Sequence, residues 1–199
     1  MCRILYLPDA AMMPYDPLVL TLHQLEADSG GDGWGAGWFE EGVPLVVKGI
    51  ALTPIEIAEV AKIIAPGTPV IYHTRKRSNG PLDDESTQPF IVTDGDLGLG
   101  LLAHNGTAPS LASERECDSH RIARLIDEGD TTLARFAEEV PDFGVVTFLG
   151  ADGRFVFHHC RATEERHKRP FETVERDVLV GGERRRVVIG ISRPQFLTV

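Results

Sequence analysis

The second residue of the chain is a cysteine. Removal of the initiator methionine would leave Cys2 with a thiol and a free α-amine, a nucleophile that carries its own base. Reference pKa values of roughly 8.5 for the thiol and 7.7–8.0 for the amine nearly balance proton transfer between them at neutral pH. The competing reading of Cys2 is a small buried residue that opens a strand. Arg75, in His73-Thr74-Arg75, stands where an apolar run ends, and its planar fork suits two-point capture of a carboxylate. Lys76 and Arg77 follow directly, so a cationic surface patch competes with that reading. In His104-Asn105-Gly106, the Asn105 amide and the Gly106 N–H can aim at one oxygen and stabilise a developing oxyanion. Asn-Gly is equally a tight-turn pair. Asp118, between Cys117 and Ser119, offers an anion for an ammonium group or a cap for a helix. A zwitterionic amino acid needs one fixed cation and one fixed anion, and Arg75 and Asp118 are the candidates.

Other motifs carry less. His158-His159-Cys160 lies in a strand-like run, where adjacent side chains point to opposite faces, so the two histidines do not share an ion. Cys117 and His120 lack the company of a four-ligand zinc site, and no metal or other cofactor is expected. Asp32-Gly33-Trp34-Gly35 has no Gly-Lys-Ser/Thr ending and is not a phosphate loop. Trp34 and Trp38 read as wall and core residues. Arg184-Arg185-Arg186 reads as a charged hairpin edge that resists strand aggregation.

These residues need elements to hold them. Cys2 to Leu7 reads as a strand ended by Pro8, and Pro17 to Ala27 as a helix with Leu18, Leu22 and Leu25 on one face. Five glycines between Ser29 and Phe39 imply tight turns and close backbone approach, running into a strand whose hairpin partner is Val43 to Lys48. Thr53-Pro54-Ile55-Glu56 is a capping box with proline at the first helical position, and Ile57, Val60, Ala61 and Ile64 give that helix a buried stripe, ended by Ala65-Pro66-Gly67. Pro69 to His73 is the next strand, followed by a polar stretch from Thr74 to Ser86. Leu97 to His104 reads as a fully buried strand stopped by Asn105-Gly106. Helices are expected from Asp118 or Ser119, with Ile122, Leu125 and Ile126 inward, and from Thr132 to Glu139. The last third reads as strands at Gly144 to Leu149, Phe155 to His159, Val178 to Val180 and Arg186 to Ile191. Arg161 to Arg169 reads as a solvated loop. Alternation without βαβ regularity implies one α+β domain with large antiparallel sheets.

The chain has 199 residues, 42% apolar and 25% charged, the composition of a soluble globular protein that can bury a core without disulfides or a structural metal. Thirty acidic and twenty basic residues give a net charge of −10, against a general nucleic-acid or anionic-membrane binder. Three cysteines are no disulfide framework. No apolar run reaches the roughly 18 residues of a membrane helix, and prolines and aspartates break up the first twenty residues as a signal peptide. A cytoplasmic protein is expected.

Taken together and in order, Cys2, Gly33-Trp34-Gly35, His73-x-Arg75 with Gly80 downstream, Gln88-Pro89-Phe90, His104-Asn105-Gly106 and Asp118-Ser119 resemble the class II glutamine amidotransferases. These are N-terminal-nucleophile hydrolases whose glutaminase domain releases ammonia from glutamine. The resemblance is dense from Met1 to about Ile126 and looser beyond, with Ile191-Ser192-Arg193-Pro194 similar to a late strand. The opening Met-Cys-Arg looks most like the small stand-alone members, which lack a fused synthase. The resemblance implies a four-layer αββα sandwich spanning 1–199. It implies Cys2 as nucleophile, and Asn105 with the Gly106 N–H as oxyanion hole. Arg75 would hold the substrate α-carboxylate and Asp118 the α-ammonium, with Ser78 in support. The implied chemistry passes through a γ-glutamyl thioester. Ammonia would go to a separate synthase, or the substrate would be another γ-glutamyl compound. The chain departs from the usual pattern at Arg3 (often Gly), Lys76-Arg77 (often more apolar), Asn79 (often His in sugar-amidating members) and His120 (usually Glu). A catalytically silent amino-acid-binding module is the alternative from another class. A cysteine amidase acting on a non-glutamyl amide is a third.

Overall fold

The computed structural model describes residues 2–9, 13–64, 69–139, 144–160, 171–180 and 183–192. Alternation sorts β1 (Arg3–Leu7) between two environments. Leu5 and Leu7 join a core with helix α1 (Tyr15–Ser29), whereas Ile4 belongs to a separate cluster. Helix α1 runs two residues further at each end than its apolar spacing predicts. Pro17 is tolerated because it falls in the first turn, where N–H groups have no intrahelical acceptor.

The glycine-rich segment becomes β2 (Gly33–Glu40), paired with β3 (Val43–Gly49) through Glu41 and Gly42, which have φ of 50° and 81°. Gly33, Gly35 and Gly37 alternate onto one face of β2, and there the reason for them is steric. A Cβ on Gly33 would lie 2.9 Å from Thr87 Oγ1, and one on Gly37 2.8 Å from Pro89 Cγ. One on Gly35 would collide with the Gln88 carbonyl oxygen. The strand thus lets the Thr87–Pro89 segment lie directly on its backbone.

Helix α2 (Pro54–Ile64) starts on the anticipated capping box. The Thr53 N–H donates to Glu56 Oε2 at 2.6 Å, and the Glu56 N–H donates to Thr53 Oγ1 at 3.3 Å. β4 (Val70–Arg75) is buried throughout, between β1 and β2. It carries two polar residues more than its apolar run predicts, because both neighbours continue to pair with it as far as Thr74 and Arg75.

Phe90–Asp94 forms a strand, β5, that the sequence reading left out although its burial alternates residue by residue. It pairs with β6 (Gly98–Asn105), which pairs with β7 (Val145–Gly150) and that with β8 (Phe155–His159). β6 was expected to be buried throughout, but Gly98 and Leu99 at its start are exposed. Helices α3 (Asp118–Asp127) and α4 (Leu133–Glu139) follow β6. On α3, Ile122, Ala123 and Ile126 are buried, with Leu125 only half-buried. β9 (Phe171–Val180) and β10 (Glu183–Ser192) are longer than expected, and they pair along their whole length. The Arg161–Arg169 loop, Gly181-Gly182 and Arg193-Pro194 lie outside the described residues.

Two antiparallel sheets result, ordered β3-β2-β4-β1-β10-β9 and β5-β6-β7-β8. Three apolar clusters accompany them. One joins α1 and α2 to the larger sheet through Leu18, Leu22, Ile57, Val60, Leu5 and Tyr72. Another joins α3 and α4 to the smaller sheet through Ile122, Ile126, Phe136, Leu102, Val146 and Phe148. The third links strands of both sheets, with Ile4 and Ile71 against Leu101, Ala103, Val145 and Leu149. Among the described residues, no helix is long and apolar enough to cross a membrane.

Candidate active site

Cys2 lies immediately before β1, beside the end of β4. Its Sγ is 3.5 Å from the Lys76 carbonyl oxygen and accepts the Lys76 N–H at 3.4 Å. Met1 lies outside the described residues.

Arg75, the last residue of β4, is 4% exposed. Its Nη2 donates to the carbonyls of Asn79 at 3.3 Å and Pro81 at 2.8 Å, while its Nη1 is buried with no hydrogen-bond partner among the described residues. A buried guanidinium nitrogen without an acceptor is costly, and a carboxylate is the acceptor its fork suits.

Asp118, the first residue of α3, is equally buried but differently served. Its Oδ2 accepts the Ala108 N–H at 2.8 Å, and its Oδ1 accepts the Ser119 N–H at 2.8 Å. Its own N–H donates to Asn79 Oδ1 at 3.3 Å. Gly80, at φ 70°, packs against Cys117 so closely that a Cβ there would lie 2.6 Å from the Cys117 Cβ. The loop after β4 is thereby fitted onto the start of α3.

Cys2, Arg75, Ser78, Gly106 and Asp118 line one cavity. Asn105 does not line it; it is fully buried at the end of β6, one residue before Gly106. The cavity is about 20 Å³, room for about one water.

Several residues at this site escaped the sequence reading. The Gln88 side chain bridges the main chain of His104, with Nε2 donating to its carbonyl at 3.0 Å and Oε1 accepting its N–H. His104 Nδ1 in turn lies 3.0 Å from Ser119 Oγ. A continuous polar path therefore runs from Gln88 through β6 to Asp118. Asn79 serves Arg75 with its carbonyl and Asp118 with its side chain. Gln88 and His104 stood in recognisable motifs, but their partners are remote in sequence and no local pattern announces them.

Beside the cavity, Asp32 accepts the Arg77 N–H at 2.9 Å and lies 3.4 Å from Lys76 Nζ. The Arg77 N–H, followed by the charge of Lys76, holds its carboxyl below the usual range. His73, two residues before Arg75, is fully buried with both ring nitrogens unpartnered. Burial first, then the charge of Arg75, lowers its pKa to about 3, so the ring is neutral. Burial raises the Cys117 thiol. Among the described residues, no group of three or more His, Cys, Asp or Glu is placed to hold a metal ion.

The fold and cavity define a mixed α/β protein of two antiparallel sheets, with a thiol, a guanidinium and a carboxylate around one small space. The chain belongs to the class-II glutamine amidotransferases, whose family pattern matches residues 13–124. That span includes Arg75, Ser78, Asn105, Gly106 and Asp118 and begins after Cys2. A crystal structure described as a predicted glutamine amidotransferase from Pseudomonas aeruginosa PA01 is similar at 16% identity and a TM-score of 0.42, covering 95% of this chain and 83% of that one. No curated protein matches.

Proposed function

We propose that the protein hydrolyses a γ-glutamyl amide, glutamine in the first instance, using Cys2 as the nucleophile. The observation that carries this reading is the half-served guanidinium of Arg75, whose free Nη1 is buried beside the cavity that Cys2 and Asp118 also line. In the reaction, the Cys2 α-amine takes the thiol proton and Sγ attacks the side-chain amide carbon. The oxyanion is met by the Gly106 N–H, and the Asn105 amide, which does not line the cavity here, joins it only once the site has opened around the substrate. The C–N bond breaks as the ammonium returns its proton to the departing ammonia. Water then adds to the thioester carbonyl, the C–S bond breaks, and glutamate leaves with Cys2 regenerated. Arg75 holds the α-carboxylate and Asp118, supported by Ser78, the α-ammonium.

Glutamine is far larger than the cavity, so in this reading the residues that line it part for the substrate to enter. The three apolar clusters support a four-layer αββα sandwich forming one glutaminase domain. Three cysteines with no disulfide among the described residues suit a reducing, cytoplasmic setting. The ammonia goes to a separate synthase, or the leaving group is part of a larger γ-glutamyl compound.

Intact mass before and after incubation with a diazo-ketone analogue of glutamine tests the reading. A chain without Met1 that gains one adduct at Cys2, blocked by excess glutamine, is expected. A chain that keeps Met1 and gains none would overturn the reading in favour of an amino-acid-binding module.

A further inference from the structure

A second, larger recess of about 250 Å³ lies back to back with the active-site cavity. The Gln88 side of the cavity continues into Pro89 and Phe90, and its Asp118-Ser119 side into His120, and these continuations wall the recess. Val46 and Lys48 of β3, Ile91 of β5 and Arg124 and Asp127 of α3 are among its other lining residues. The Lys48 Nζ stands 4.7 Å over the centre of the Phe90 ring, and the His120 ring stacks on Phe90 at 5.3 Å with a 10° tilt.

The charges here are unequally satisfied. Arg124 donates to Glu116 at 3.2 Å and to Glu128 at 2.7 Å. Asp127, also on this wall, accepts the Thr93 N–H at 2.8 Å. Lys48 makes no hydrogen bond and no ion pair among the described residues; its close partner is the Phe90 ring. Burial lowers its pKa to about 8 against the opposing charges of Asp84 and Glu85. The ring and those more distant groups therefore leave the ammonium under-compensated. An oxyanion beside Nζ would supply the missing interaction, and the apolar side chains of Val46, Phe90 and Ile91 would cover a hydrocarbon or aromatic body.

We infer that the recess between β3, β5 and α3 is a binding site for a small molecule carrying a carboxylate or phosphate on an apolar body, with Lys48 as the counter-ion and the Phe90–His120 pair as the platform. This site is separate from the glutamine pocket and does not depend on the chemistry proposed there.

Amide NMR titration of the full chain with phenyl phosphate, benzoate and the neutral benzyl alcohol tests the inference. Saturable shifts centred on Phe90, Ile91 and His120 are expected, with the two anions binding about tenfold or more tighter than the alcohol. Lys48→Met is expected to abolish that preference. Ile91→Trp, which fills the recess from a half-exposed position and leaves Lys48 in place, is expected to abolish binding of all three. The absence of saturable shifts, equal binding of anions and alcohol, or an anion preference retained in Lys48→Met would each overturn the assignment.

Discussion

The two charged walls of the cavity are buried to the same 4% and built on opposite principles. On the β4 side, Arg75 keeps one guanidinium nitrogen without an acceptor. On the α3 side, both oxygens of Asp118 already accept backbone N–H groups. In the proposed reaction the cation is held in readiness for a carboxylate, whereas the anion is already part of the scaffold. A residue poised in this way contributes more to binding than to folding, and a residue used twice contributes to both.

The largest expected effect ignores this difference. Cys2→Ser removes the proposed nucleophile beside both walls, and it is expected to abolish the covalent adduct and lower glutamine hydrolysis by about 10³-fold or more. Retained turnover would mean that neither wall is arranged around Cys2. Arg75→Met comes next, with a rise in KM of about 100-fold for the lost charge-assisted pair. Its unfolding free energy should fall by only about 1 kcal/mol, because Nη1 has no partner to lose among the described residues and the loss is confined to the Nη2 donor of the Asn79 and Pro81 carbonyls. Asp118→Asn should instead lower stability by about 2 kcal/mol, since an amide cannot accept both backbone donors as a carboxylate does. Equal stability loss in the two variants, read from paired urea curves, would erase the contrast.

The smallest effect at neutral pH concerns His73, next to Arg75 on the poised wall. Its folded pKa of about 3 lies below its ordinary 6.5, so the folded protein binds fewer protons than the unfolded chain between those values. Its contribution is complete above pH 6.5 and is lost progressively as the pH falls toward 3. His73→Leu should flatten that acid limb and leave stability at pH 8 comparatively unchanged, as thermal melts across the range would reveal.

Local chemistry made much of this legible. The Thr53–Glu56 box and the leucine stripe of α1 depend on neighbours within one or two turns, and the structure reproduces them. β5 was harder to see, since Phe90-Ile91-Val92 is a continuous apolar run and its alternation shows only in the burial of the folded chain. Arg75, Asp118 and Gly106 were recognisable by residue type and motif order. The Gln88 bridge to His104 and the double service of Asn79 were not, because each joins segments that only the completed fold brings together. The glycines of β2 fall between these cases: their number implied close approach, but nothing nearby said that the approaching chain was Thr87–Pro89.

That last contact bears on how such a site can drift over generations. Alanine at position 35 would collide with the Gln88 carbonyl, main chain against side chain, with no rotamer to turn aside. Relief would require Gln88 to move, and Gln88 holds His104 next to Gly106. A methyl group on a strand that contributes no proposed catalytic atom would thus be felt at the oxyanion position. Lineages that retain the chemistry are therefore expected to keep glycine there, while the exposed positions of the neighbouring strand β3 are free to vary.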